Sequence, residues 1–150
     1  MIKLIRTNSD NVDFINLVNQ LDTYLKIVDG KDHAFYNQYN NIDVLKNTVV
    51  AYINEIPIGC GAFKPYNTNT VEIKRMFTLP ESREKGIASL ILKELENWAN
   101  ELGYKYCVLE TGKRQVEAVC FYDKMHYTII SNFGPYKNVS NSLCFQKKLI

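Results

Sequence analysis

The chain is 150 residues long, 46% hydrophobic and 23% charged, with a formal net charge of +2. A chain of this length buries a sizeable core without staples and is most simply one domain, 1–150. Its near-balanced charge, with no long basic block, gives no electrostatic reason to expect nucleic acid or a membrane as partner, and its apolar runs are far too short to span a bilayer.

In chain order, Ile2 to Ile5 alternates as a strand does and polar residues follow at once, which argues against a signal peptide. Asn8-Ser9-Asp10 offers helix caps before Phe14, Val18, Leu21, Leu25 and Val28, one helical face that Asp29-Gly30 closes. His33 to Asn41, rich in aromatics and amides, is expected as a short helix or ordered loop forming part of a pocket wall. Asn47 to Ile53 and Ile58 to Phe63 read as strands joined by a tight turn at Glu55-Ile56-Pro57, and Asn67-Thr68-Asn69 marks another turn. Val71 to Leu79 alternates bulky and polar residues until Pro80, with no NH to donate, stops the ladder. From Ile87 the apolar residues Ile91, Leu95, Trp98 and Leu102 share one helical face, and Gly103 stands where helices commonly end in a left-handed residue.

Tyr106 to Glu110 reads as a short buried strand, and Val116 to Met125 as a helix through Ala118, Val119, Tyr122 and Met125. Tyr127 to Ile130 and Leu143 to Leu149 read as closing strands. Cys60, Cys107, Cys120 and Cys144 are scattered, form no C-x-x-C pair and mostly sit in apolar runs. Buried free thiols in a reducing cytoplasm are expected, and no metal site.

The chain is organised around Val71 to Gly103. A strand running through the charged turn Glu81-Ser82-Arg83-Glu84-Lys85-Gly86 into a helix start leaves backbone NH groups unpaired, with the positive end of the helix dipole behind them. Such a site favours an anion. Gly86 admits close approach of a phosphate, Ala88 crowds the first turn little, and Arg83 and Lys85 add positive charge. A diphosphate fits that description.

The run Arg83-Glu84-Lys85-Gly86-Ile87-Ala88 resembles the R/Q-x-x-G-x-G/A signature of the GNAT family of N-acetyltransferases, and the resemblance covers roughly Val49 to Leu149. It implies an α/β (α+β) fold with a mixed, mostly antiparallel central sheet splayed at its centre and flanked by helices. It also implies that Arg83, Glu84, Lys85, Gly86, Ile87 and Ala88, with Met76, Phe77 and Thr78 on the strand before and Thr111 after Leu109-Glu110, bind acetyl-CoA as cosubstrate. Strand NH groups near Phe77 would polarise the thioester carbonyl. Phe121-Tyr122-Asp123-Lys124-Met125-His126-Tyr127 resembles the family's L-Y-x-K-x-G-F segment, whose tyrosine hydroxyl lies near the thioester sulfur. His126 departs from that segment's Gly at a turn position that can require positive φ, which histidine tolerates better than most residues.

Two readings stand for each chemical residue. Glu72 is the general base by resemblance, or a strand carboxylate paired with Lys74, which alternation places on the same face. Tyr122 protonates the departing thiolate, or is an aromatic of the core. Asp29, His33, Tyr36, Tyr39, Asn132 and Tyr136 are the expected substrate wall, their aromatic faces and polar groups suiting a small cationic amine. The activity implied is acetyl transfer to a primary amine by direct attack, in a monomer or homodimer. A non-catalytic acyl-CoA sensor and a protein or peptide N-acetyltransferase are the alternatives. A nucleotide-phosphate binder is disfavoured because no G-x-x-x-x-G-K-[ST] run occurs.

Overall fold

Alternating runs become strands and the four-and-three runs become helices. The computed structural model describes residues 1–30 and 45–150. In order these form β1 (Ile2–Thr7), α1 (Val12–Asp29), β2 (Asn47–Ile53), β3 (Ile56–Asn67), β4 (Thr70–Thr78), α2 (Ile87–Glu101), β5 (Tyr106–Gly112), α3 (Val116–Lys124), β6 (Thr128–Ile130) and β7 (Ser142–Lys148), with single 3-10 turns at Pro80–Ser82 and Gly134–Tyr136. The segment expected at His33 to Asn41 lies outside the described residues.

The strands make one seven-stranded sheet, ordered β1-β2-β3-β4-β5-β7-β6. Every neighbouring pair is antiparallel except β4 and β5, which are joined by α2 and run parallel. That one parallel pairing is short, running only from Thr70 opposite Tyr106 to Glu72 opposite Val108. Beyond it β4 stays with β3 as far as Thr78, and β5 stays with β7 as far as Gly112. The two central strands therefore part company halfway along.

A bulge in β4 accompanies the parting. Cys60 faces Phe77 and Ala62 faces Lys74, so Arg75 and Met76 together oppose Gly61, and Arg75 takes φ +60°. An extra residue of this kind bends its strand and raises the local twist. The sequence pattern hid it, because the run alternates on either side.

Both sheet faces are covered. Ile87, Ile91, Leu92, Leu95 and Ala99 of α2 pack on Val49, Ala51, Phe63, Val71 and Ile73, while Phe14, Leu17, Val18 and Leu21 of α1 pack on Val50, Cys60, Ala62 and Phe77. Neighbours in β2 and β3 thus serve opposite layers, as a period of two requires. A β-carbon at Gly61 would lie 2.4 Å from Met76 Sδ and 2.9 Å from Ile91 Cγ2, so glycine there lets α2 and Met76 approach β3.

Three boundaries differ from expectation for local reasons. The hairpin between β2 and β3 turns at Asn54 and Glu55, whose φ values of +49° and +67° suit the right-handed strand twist, rather than at Glu55-Ile56-Pro57. The cap of α1 is Asn11, whose side chain accepts the Phe14 NH at 2.9 Å, while Asn8 makes a turn by accepting the Asp10 NH. Finally, β3 continues past Phe63 to Asn67, carried by pairing with β4.

Candidate active site

The turn before α2 is shaped for an anion. Gly86 is the helix N-cap with φ +76° and no side-chain cap, and Glu84 also takes positive φ, +66°. First-turn NH groups, backed by the helix dipole, attract negatively charged oxygens. Among the described residues nothing lies within 4 Å of where a Gly86 β-carbon would stand. Arg83 is fixed beneath this turn: its Nε donates to the Thr78 carbonyl at 3.0 Å, and its guanidinium lies 5.7 Å from the Tyr24 ring centroid and 5.8 Å from that of Phe77. Ile87 is core, Ala88 half-buried, and Glu84 and Lys85 are exposed.

Where β4 and β5 separate, a cleft of about 110 Å³ opens between them. Glu72 to Met76 form one wall, Leu109 to Gly112 the other, and Leu21, Leu25, Asp29, Gln115, Ala118, Tyr122 and Tyr136 complete it. Leu79 donates its NH to Ile58 on β3 at 2.9 Å. Alternation then turns the Phe77 amide toward β3 and those of Met76 and Thr78 toward the side that β5 has left. Of the three β4 residues expected at a cosubstrate, Met76 lines the cleft, Phe77 packs beneath α1, and Thr78 anchors Arg83.

Tyr122 reaches the cleft from α3 and is held there by the way that helix ends. Tyr127 donates its NH to the Tyr122 carbonyl and His126 to that of Asp123, the paired bonds of a Schellman motif, with His126 at φ +70°. The rings of Tyr122 and Tyr127 meet edge to face at 5.7 Å. Tyr127 is anchored in turn, its hydroxyl donating to Glu96 Oε2 at 2.8 Å while Lys147 Nζ lies 3.1 Å from Glu96 Oε1. Burial raises the Tyr122 phenol above its ordinary range, so it holds its proton at neutral pH.

The cleft brings together Glu72, Asp29, Tyr136, Thr111, Met76 and Tyr122 among the residues that the sequence singled out. Asn132 stands elsewhere, its side-chain amide donating to the carbonyls of Tyr136, Val139 and Ser142 and so bracing the chain before β7. His33, Tyr36 and Tyr39 lie outside the described residues. Glu72 and Lys74 form a buried ion pair at 3.7 Å, and burial lowers the Lys74 pKa against the pull of Glu72.

Glu110 was passed over. Burial, opposed by a hydrogen bond from Ser142 and reinforced by Asp29 and Glu72, pushes its carboxyl up to about 7. The signal was a charged residue inside an apolar strand run, an arrangement that proteins seldom keep without reason. Among the described residues no group of three or more His, Cys, Asp or Glu side chains is placed to hold a metal ion, and no helix is long and apolar enough to cross a membrane. Cys60, Cys107 and Cys144 are buried free thiols and Cys120 is an exposed one.

Comparison with known proteins agrees with this geometry. The sequence pattern of the Acetyltransferase (GNAT) family matches residues 15–127. An IAA acetyltransferase from Azospirillum brasilense is 27% identical over 140 residues, 90% of each chain. Among solved structures, the fold is shared with a Klebsiella pneumoniae chain described as a candidate acyl-CoA N-acyltransferase (TM-score 0.84, 22% identity, 100% of this chain and 99% of that one). It is shared also with a GNAT family acetyltransferase from Elizabethkingia anophelis determined with acetyl-CoA bound (TM-score 0.72, 20% identity, 99% and 98%). With its splayed seven-stranded sheet and a family match over most of its length, the chain belongs to the GNAT family of acetyltransferases.

Proposed function

We propose that the protein transfers the acetyl group of acetyl-CoA to a primary amine, most suitably that of a small molecule, by direct attack of the amine on the thioester. The observation that carries this reading is the cleft itself: the parting of β4 from β5 places Tyr122 and carboxylates in one cavity, in a fold whose anion-accepting turn lies just after β4. Acetyl-CoA, bound at Elizabethkingia's structural relative, supplies the activated acyl group when bound. The residues here fit it: Gly86 with the uncapped α2 start for the diphosphate, the outward Met76 and Thr78 amides for the extended arm, and Thr111 on the facing wall.

The chain's own contributions follow from chemistry. An amine attacks only when neutral, so a cleft carboxylate must take its proton. Tyr122, protonated and buried, can donate to the sulfur as negative charge develops there. A silent acyl-CoA sensor would have no use for a hydroxyl so placed. Asp29 and Tyr136, which line the cavity, would offer the acceptor a carboxylate and an aromatic face.

The test is a panel of small amines set against lysine-containing and amine-terminated peptides, with acetylated product read by mass spectrometry. Small-amine products are expected. Robust peptide acetylation without them would move the acceptor to proteins, and product from neither would favour the sensor.

A further inference from the structure

Three carboxylates line the cleft beside Tyr122, and their surroundings differ. Glu72 is engaged with Lys74 at 3.7 Å, both side chains nearly sealed from solvent. Asp29 closes α1, 2% exposed, with its main-chain carbonyl accepting from Arg114 at 2.8 Å. Glu110 is steadied by the Ser142 hydroxyl, yet its Oε2 is buried with no hydrogen-bond partner among the described residues. The next residue, Thr111, is 5% exposed, lines the same wall, and buries an Oγ1 that has no partner among the described residues. Buried polar atoms are nearly always paired. Such an atom left open on the wall of a reaction cleft marks where a ligand's polar group belongs.

We propose that Glu110, rather than Glu72, is the catalytic base, its Oε2 taking the proton of the acceptor amine. The assignment rests on the N-acetyltransferase reading above and names a residue for a role that reading leaves to any cleft carboxylate. The ammonium form of the acceptor gives one proton to Glu110. Its nitrogen lone pair then forms the C–N bond, the C–S bond breaks, and the sulfur keeps that electron pair and takes the Tyr122 hydroxyl proton. The second proton shed by nitrogen restores Tyr122, and Glu110 releases its own to solvent, leaving amide, free thiol and one proton.

The groups facing Glu110 suit this duty. Asp29 on α1 and Glu72 on β4 oppose its ionisation, Lys74 on β4 and Ser142 on β7 favour it, and Cys144 on β7 and Tyr122 on α3 stand nearby as neutral groups. Burial is the largest influence and sets the carboxyl at about 7, where a base is both available and strong enough at neutral pH. Glu72 is already engaged with Lys74 at 3.7 Å, whereas Glu110 Oε2 has no hydrogen-bond partner among the described residues.

The experiment compares wild type, Glu110→Gln, Glu110→Asp and Glu72→Gln, each saturated with acetyl-CoA, on one small amine. A carboxyl-carbon NMR titration of the coenzyme A-loaded protein adds a readout independent of turnover. In wild type, kcat/KM is expected to fall tenfold per pH unit below about 7, and one Glu carboxyl, absent from Glu110→Gln, to titrate there. Glu110→Gln should lose about 100-fold or more with coenzyme A affinity unchanged, Glu110→Asp should recover part of the rate and the acidic limb, and Glu72→Gln should keep that limb. Glu110→Gln within about threefold of wild type, the Glu110 carboxyl titrating near its ordinary 4.5, or loss of the limb in Glu72→Gln alone would overturn the assignment. Those outcomes leave the enzyme reading intact. Wild type that binds acetyl-CoA and acetylates no amine would overturn both. Should Glu110→Gln fail to fold, the Glu110→Asp profile and the wild-type titration still decide.

Discussion

Tyr122 belongs to the packing and, under the proposed function, to the chemistry as well. Its ring lies among Phe121, Tyr127 and Phe145, and the same residue forms part of the cleft wall. Tyr122→Phe keeps the ring and removes only the hydroxyl, so melting temperature and coenzyme A affinity should hardly move while kcat falls about tenfold to a hundredfold. Steady-state kinetics beside a thermal melt would check this, and an unchanged kcat would return the residue to the core alone. His126, four residues on, carries the opposite lesson. At φ +70° it occupies a conformation that disfavours a side chain, and it is exposed. His126→Gly should relieve about 1 kcal/mol, net of the extra freedom that glycine gains in the unfolded chain. Denaturant titration would reveal it, and a destabilised variant would mean that the imidazole makes a contact of its own.

Among the elements, the start of α2 is the place proposed for the cosubstrate's diphosphate. Gly86→Val would force a β-branched residue to φ +76° and set a side chain where the anion must approach. Because nothing among the described residues lies within 4 Å of that β-carbon, the core should survive, and coenzyme A affinity should fall at least about tenfold by calorimetry. An unchanged dissociation constant would contradict the placement of the diphosphate. This element was legible in the sequence because its information is local: a four-and-three apolar stripe, a glycine at each end, a proline before. The bulge at Arg75 was not legible, since it arises from register against β3 and leaves no mark in the alternation of β4. Glu110 was missed for a related reason, because what raises its carboxyl is burial together with Asp29 and Glu72, which approach it only through the tertiary fold. The tight turn expected at Glu55-Ile56-Pro57 stands at Asn54-Glu55 instead, because glutamate seldom takes positive φ and here both central residues do.

For the whole molecule, the splay couples fold and acidity. Folding raises the Glu110 carboxyl from its ordinary 4.5 to about 7, so between those values the native state holds more protons than the unfolded chain. Its contribution to stability is therefore fully present below pH 4.5 and lost as pH rises through about 7, a change of roughly 3 kcal/mol. Glu110→Gln cannot lose it, so the stability difference between the variants should shift in favour of Gln by that order from pH 4 to pH 8, whereas a constant difference would mean an ordinary carboxyl. The order of elements along the chain followed from periodicity and the splayed sheet from the family resemblance, but where β4 and β5 part, after three paired residues, is a property of the assembled sheet. On that parting the catalytic reading stands. The most direct measurement is release of free thiol from acetyl-CoA in the presence of small amines, by wild type and Tyr122→Phe side by side. Amine-dependent release by wild type, strongly reduced in the variant while both still bind coenzyme A, is the expected result. No release above the protein-free rate from wild type with acetyl-CoA bound would contradict it.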